Sequence, residues 1–307
     1  MSYLAATQYP WLQPILAQLT LLATQQRMAH ALLISGMAGL GKRPLANALS
    51  AFLLCKQPIN QQACGQCKSC LLLAAGNHPD ILLLHPDSNT IGVDDIRRLI
   101  EFTHGAAQQQ GNRVIILPQA QRMSEAAANA LLKTLEEPPQ GCFLLLLSEQ
   151  PQRLKATLLS RCQQWRVAPL NETALLSWLA EQCEKPIPAF LYRYTGGAPL
   201  QALALLEGSE AQQIATLLHM LQAFMQEEVA LAVLVKELEN RDDNRAILGF
   251  FIHDALQSAQ SISAERLQRI YQRYYRWCRD EQQILGQNKS LALSALLLEI
   301  QRITATR

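Results

Sequence analysis

The stretch that most constrains this chain is Gly36-Met-Ala-Gly-Leu-Gly-Lys42, a G-x-x-x-x-G-K run set between Ala31-Leu-Leu-Ile-Ser35 and the segment Arg43 to Leu54. The leading flank is a short continuous apolar run, the pattern of a buried strand, and the trailing flank has helical spacing. Strand, glycine-rich turn and helix in that order let a backbone curl until its N–H groups converge on phosphate oxygens, with the positive end of a helix dipole behind them. Gly36, Gly39 and Gly41 supply the turn, and Lys42 supplies a point charge. The plainer reading, a glycine-rich turn carrying a surface lysine, leaves the two flanks unexplained. The run therefore asks for an α/β domain with nucleotide-phosphate chemistry at one end of its sheet.

Later segments extend that expectation. Asp80–Leu84, Arg113–Leu117 and Cys142–Leu147 are further apolar strands. Between them, Asp94–Thr103 has helical spacing, with Val93, Ile96, Leu99 and Ile100 on one face. Ser124–Glu137 reads as a helix with Ser124 as N-cap and Pro138-Pro139 as its stop; Leu131, Leu132 and Leu135 take core spacing, and Lys133, Glu136 and Glu137 face outward. Strands that are apolar throughout, separated by helices, predict a parallel sheet covered on both faces. After about residue 167 the pattern changes: Pro169-Leu-Asn-Glu-Thr173 opens a helix, Gly196-Gly-Ala-Pro199 marks a turn between two short helices, and from about residue 208 only helical periodicity remains.

Phosphate binding is one thing and hydrolysis another. A magnesium ion is normally held by a hydroxyl directly after the lysine and by an acid at the end of a second strand. Here the first position is Arg43, which cannot ligate a cation, and the strand Val114–Leu117 runs into Pro118-Gln119, with no carboxylate. Two separate losses in one machinery predict a loop in which ATP or ADP binding stays open and turnover is not expected.

Cys55, Cys64, Cys67 and Cys70 form C-x₈-C-x₂-C-x₂-C within one short insertion. Four thiolates at that spacing match a structural tetrahedral Zn²⁺ site, with Gly65 supporting the tight turn; reduced or redox cysteines are the alternative. His78, which follows, is not needed as a ligand and is read as structural, as are His30, His85 and His253. Cys142, Cys162, Cys183 and Cys278 are scattered in apolar settings and read as packing residues.

A sequence that is 49% apolar and 17% charged has material for sizeable cores and excludes global disorder, while a net charge of +2 gives no general attraction to nucleic acid. Apolar runs are too short to cross a bilayer, and MSYLAATQYPWLQPILAQ lacks the basic region and cleavage site of a secretory leader. The expectation is a cytoplasmic chain whose cysteines stay reduced or hold metal. In the C-terminal third, Leu291–Ile300 is an amphipathic helix. Arg266, Arg269, Arg273, Arg276 and Arg279 recur every three or four residues around Tyr271, Tyr274 and Tyr275. That stripe reads as a solvated or subunit-contacting face, with a grip on nucleic acid as the alternative.

One further pair of motifs carries a resemblance. Ala127-Ala-Asn-Ala-Leu-Leu-Lys-Thr-Leu-Glu-Glu-Pro-Pro139 followed by Leu159-Ser-Arg-Cys162 resembles the clamp-loader branch of the AAA+ ATPases, and within it is most similar to the delta-prime subunits of bacterial DNA polymerase III. The resemblance is dense over the first half and general in the second. It implies a P-loop domain over 1–167 with a zinc module within 55–70, a small helical lid over 168–207 and a helical collar over 208–307. It also implies a hetero-oligomeric partner set: the gamma or tau motor subunits, the delta subunit and, through the assembly, the sliding clamp and primed DNA. Delta-prime subunits typically carry an eroded loop of the kind seen here. The lid arginine of the motors is also missing, its position being taken by Leu200. The resemblance assigns Arg161 the part of an arginine finger, presented in trans to the nucleotide of a neighbouring motor subunit, in a stator that is not itself an active ATPase. Two other functions are weighed against it: an active AAA+ motor ATPase, which Arg43, Pro118 and Gln119 disfavour, and a zinc-dependent nucleic-acid-binding module using Lys56 and Lys68.

Overall fold

A computed structural model describes residues 8–84, 90–256, 262–284, 286 and 288–305; His85 lies outside the described residues. The chain divides into two compact units, Met1–Glu181 with Thr195–Ala202, and Gln182–Tyr194 with Leu203–Arg307.

The first unit is built on a five-stranded sheet. Its strands are β1 (Ala31–Ser35), β2 (Ile81–Leu83), β3 (Arg113–Leu117), β4 (Cys142–Ser148) and β5 (Gln163–Arg166). All pairs are parallel, in the order β2-β3-β4-β1-β5. Helices α1 (Gln13–Thr24), α2 (Lys42–Leu54), α3 (Lys68–Ala74), α4 (Val93–His104), α5 (Glu125–Glu136), α6 (Ala156–Leu159) and α7 (Glu172–Gln182) complete it.

Side-chain alternation along the strands sorts two cores. Leu32, Ile34, Val114, Ile116, Leu145 and Leu147 face α1 and α2. Leu33, Ile115, Leu117, Leu144 and Leu146 face the side of α4, α5 and α6, where Ile96, Leu99, Leu131, Leu135 and Leu158 are buried. Both faces are covered, which is why the inner strands are apolar at every position. Ser124 caps α5 by accepting from the Ala127 N–H at 3.2 Å.

Two departures from the sequence reading have physical causes. The strand read as Asp80–Leu84 is Ile81–Leu83, because each flanking residue keeps a single backbone bond to β3: the Asp80 carbonyl accepts the Val114 N–H at 2.9 Å and the Leu84 N–H donates to the Ile116 carbonyl at 3.1 Å. The strand β5 is an addition: it pairs only with β1 and leaves Gln163, Gln164 and Arg166 exposed, so it carries no apolar run.

Helix α8 (Leu191–Thr195), the turn at Gly196 and Gly197, and α9 (Pro199–Glu207) follow, with the turn and the start of α9 in the first unit. The second unit holds α10 (Glu210–Met225), α11 (Leu231–Glu239), α12 (Asn244–Phe251), α13 (Ala264–Gln283) and α14 (Lys289–Ala305), with no strand among the described residues. Leu221, Leu234, Leu238, Ile247, Leu248, Ile270 and Leu297 form its core.

Candidate functional site

Helix α2 starts directly from the loop that leaves β1, so the loop sits at the C-terminal end of the central strands. The Lys42 amine donates to the carbonyl oxygens of Gly36 and Met37, both at 2.7 Å, and stands 4.0 Å from the Glu149 carboxylate at the end of β4. Burial lowers the Lys42 pKa below the usual lysine range, and the Glu149 charge opposes that shift. Neighbours pin the loop. The Trp11 indole donates to the Leu40 carbonyl at 2.9 Å, and Leu12 packs on Gly41, where an added Cβ would come within 3.0 Å of it. Gly39, at φ +75°, lies under the start of α9: the Leu200 N–H donates to its carbonyl at 2.9 Å, and a Cβ there would stand 2.6 Å from that of Gln201.

Ligands for a divalent cation are sparse around this loop. Arg43 lies along its own helix, donating from Nε to the Asn47 amide oxygen at 3.0 Å. Beyond β3, the Gln119 amide oxygen accepts from Arg122, and Gln121 takes the Ser148 hydroxyl at 2.9 Å. Glu149 is the carboxylate that the sequence reading missed; its signal was its place just past the central strand β4, next to β1.

At the other end of the sheet the four cysteines come together. Their sulfurs all lie within 4.8 Å of one another, with Cys55–Cys67 at 4.0 Å and Cys64–Cys70 at 3.9 Å. A tetrahedron with metal–sulfur bonds of about 2.3 Å has an edge of about 3.8 Å, so the cage is close to metal-binding size. Backbone N–H groups already point at the sulfurs: Cys64 N donates to Cys55 Sγ and Cys67 N to Cys64 Sγ, each at 3.3 Å. For Cys67, burial raises the pKa, but the N–H groups of Lys56 and Cys70 and the Cys70 and Cys64 side chains together outweigh it and bring the thiol down to about 6. These four side chains can hold one metal ion. His78 does not join them: Nε2 meets the Ser69 hydroxyl at 2.6 Å, and Nδ1 accepts the Asp80 N–H at 3.1 Å. Cys142 and Cys162 are buried, and burial pushes both thiols up to about 11, as suits packing residues.

Arg161 stands between α6 and β5. Leu158 and Cys162 on either side anchor the turn in the core, while the Arg161 side chain is 34% exposed. Its Nε donates to Glu136 Oε1 at 2.8 Å and its Nη2 reaches the same oxygen at 2.5 Å. Its Nη1 donates to the Thr157 carbonyl at 3.0 Å and the Ser160 hydroxyl at 3.2 Å. Lys155, at the start of the same turn, bonds Glu125 at 2.6 Å and Asn129 at 3.1 Å, so α5 clasps the turn at both ends.

Three comparisons bear on this arrangement. A family model described as DNA polymerase III, delta subunit, matches residues 12–171. DNA polymerase III subunit delta' of Pseudomonas aeruginosa is 40% identical over 233 residues, 74% of this chain and 70% of that protein. The chain belongs to the delta-prime family of DNA polymerase III subunits. The subunit delta' of Escherichia coli is 41% identical over 213 residues, 68% of this chain and 64% of that protein, so the match spans just under two thirds of that relative. The match to the Haemophilus influenzae subunit delta' runs further, at 35% identity over 91% of this chain and 86% of the relative. Among solved structures, a DNA polymerase III gamma subunit-related protein from Thermotoga maritima aligns with a TM-score of 0.55 at 17% identity, over 94% of this chain and 99% of that one. That likeness shows the AAA+ fold.

For a delta-prime family member, the structure gathers Gly36, Gly39, Gly41 and Lys42 into one loop and the four cysteines into one cage. It leaves Arg161 apart from both. In the parallel pairing of β1 with β5, Ser35 lies opposite Arg166 and Leu32 opposite Gln163. The phosphate loop follows Ser35, whereas Arg161 precedes Gln163, so strand length alone puts about 10 Å between them, at opposite ends of the sheet.

Proposed function

We propose that this chain is a stator-type clamp-loader subunit that lends Arg161 to the nucleotide of a neighbouring motor subunit and does not turn over ATP itself. The placement of Arg161 carries this reading. It is half-exposed on a turn anchored by buried residues, at the end of the sheet away from its own loop, so any phosphate it meets belongs to another protomer. A guanidinium brought to a transferring γ-phosphate offsets the charge that develops there, and such fingers accelerate hydrolysis by about 10³ to 10⁵ fold.

The chain's own loop supports the second half of the reading. Lys42 is bonded to its own loop carbonyls, Arg43 offers no oxygen, and the strand that would carry acids ends in Pro118-Gln119. Against an active motor ATPase stand these losses together with Leu200 in the lid position. Whether ATP or ADP enters the loop depends on displacing the Lys42 amine from Gly36 and Met37.

Cys55, Cys64, Cys67 and Cys70 would hold a structural Zn²⁺. Bound there, the ion would close the 55–70 segment onto the end of α2 without an open coordination position. The soft four-sulfur donor set and near-tetrahedral spacing fit that ion. No described helix is long and apolar enough to cross a membrane, and a cytoplasmic place suits a replication subunit. Its partners would be the gamma or tau motor and delta subunits, with the sliding clamp and primed DNA reached through the assembly.

The test is reconstitution with purified motor and delta subunits. Loader containing Arg161→Ala is expected to assemble normally and to lose part of its DNA-stimulated ATP turnover. Unchanged turnover in a properly assembled complex would remove the finger assignment.

A further inference from the structure

We infer that Glu149 is an electrostatic lock on the phosphate loop: its carboxylate keeps nucleoside phosphates out, and neutralising it makes the loop a binder of nucleoside di- and triphosphates. The inference rests on the reading of this loop given above and is independent of Arg161. The loop keeps what phosphate binding needs. Gly39 and Gly41 hold the positive-φ backbone of the turn, at +75° and +91°. No side chain caps α2 at Gly41 and its first turn holds no acid, so the positive pole of the helix still faces the loop.

What stands against a phosphate is the surrounding of Lys42. An ammonium has three donors. Two of them go to the Gly36 and Met37 carbonyl oxygens at 2.7 Å, and Glu149, at 4.0 Å, is the carboxylate paired with the amine among the described residues. The negative charge that a phosphate would bring to Lys42 is already supplied. An incoming phosphate must break two hydrogen bonds and also settle beside a like charge, which costs most where protein neighbours displace water. The carbonyl oxygens come with any loop of this shape; the carboxylate comes only with the residue at position 149.

The backbone that carries Glu149 is held in place. The Gly36 N–H donates to the Ser148 carbonyl at 3.1 Å, tying the exit of β4 to the first residue of the loop. Gln121, past the end of β3, accepts the Ser148 hydroxyl at 2.9 Å and the Glu149 N–H at 3.3 Å through one amide oxygen. The exit of β3, which offers no acid, instead braces the exit of β4 beside the amine. The same nearness to an ammonium makes the Glu149 carboxylate a poor seat for a divalent cation, because the two positive charges repel.

The experiment titrates ADP into the full chain by calorimetry, with and without Mg²⁺, and repeats the titration on Glu149→Gln, which keeps the shape of the side chain and removes its charge. The wild type is expected to show no saturable binding up to about 1 mM, and Glu149→Gln to bind with a Kd of about 0.1 mM or tighter, a gain of about tenfold or more. Adding Lys42→Met to Glu149→Gln is expected to remove that binding again, and melting curves check that both variants are folded at the titration temperature. Glu149→Gln that binds no ADP, wild type that binds it equally well, or binding that survives Lys42→Met would each overturn the proposal. Weaker binding by Glu149→Gln than by wild type in Mg²⁺ would overturn it too, by making Glu149 a cation ligand. ATP hydrolysis by Glu149→Gln would leave the lock standing and overturn instead the reading of this loop as unable to turn nucleotide over.

Discussion

Lys42 and Arg161 are two cations of one domain, at opposite ends of adjacent parallel strands, and their surroundings differ in kind. The Lys42 amine is buried and turned back onto two carbonyl oxygens of its own loop. The Arg161 guanidinium is partly in solvent and held by one flexible carboxylate and two local oxygens. The first arrangement builds a fold; the second keeps a charge available. A glycine-rich loop that has lost its cation ligands keeps its lysine as an internal tie. An arginine that can reach no phosphate in its own chain keeps its value only if something outside it needs the charge.

The sharpest way to break this contrast is to remove each cation in turn. Arg161→Ala should slow hydrolysis at the neighbouring motor site by about 10³ fold, and total loader turnover by that site's share. The pair with Glu136 is half-exposed, so the same change should alter the melting temperature of the isolated chain by no more than the equivalent of about 1 kcal/mol. Single-turnover ATP hydrolysis and thermal melts read the two effects separately.

The next largest effect concerns the cysteine cage, which stands at the C-terminal end of α2, apart from Arg161. Its link to the sheet is direct: Asn112, entering β3, donates to the Leu53 carbonyl at 2.7 Å at the end of α2, two residues before Cys55. Cys70→Ser should abolish stoichiometric zinc and destabilise the chain by roughly 3 kcal/mol, or about 10 °C in Tm, as should chelation of the wild type. Zinc content by mass spectrometry alongside melting curves checks both; an unchanged Tm on metal removal would leave the cage without a structural role.

Lys42→Ala gives the reverse of the Arg161 result. Two charge-assisted hydrogen bonds disappear and the Gly36 and Met37 carbonyls lose their donor, for about 2 kcal/mol of stability. Loader turnover should stay at the wild-type level when the complex is assembled below the melting range. A loss of turnover without a loss of stability would mean that the loop takes part in nucleotide chemistry after all.

What the sequence disclosed divides along similar lines. Strands β1, β3 and β4 were legible because a doubly covered sheet demands apolar residues at every position. The α5 cap was legible because Ser124 bonds a backbone group three residues on. The loop and the cysteine run were legible because their chemistry is written in fixed local spacings. Strand β5 was not, since an edge strand with one partner needs no apolar run. Glu149 was not, because its nearness to Lys42 follows from β4 lying next to β1. Glu136 was read as an outward charge and is one, but its bond to Arg161 spans 25 residues and has no local signal.

That bond yields the smallest and most discriminating effect. Four of the five guanidinium N–H groups of Arg161 already have acceptors: two directions on Glu136, one on Thr157 and one on Ser160. On the proposed reading, a γ-phosphate must therefore compete with the chain's own oxygens before Arg161 can act as a finger, and the charged competitor among them is Glu136. Glu136→Gln keeps an acceptor but removes the charge, so the finger should leave its resting place more readily. In reconstituted loader this should raise DNA-independent ATP turnover about two- to fivefold, around 0.4–1 kcal/mol, and leave the DNA-stimulated maximum alone. A fall in that maximum would instead make Glu136 an aid that orients Arg161 for the phosphate. The contrast with Lys42 would then narrow, because both cations would be held in place by their own chain for the work they do.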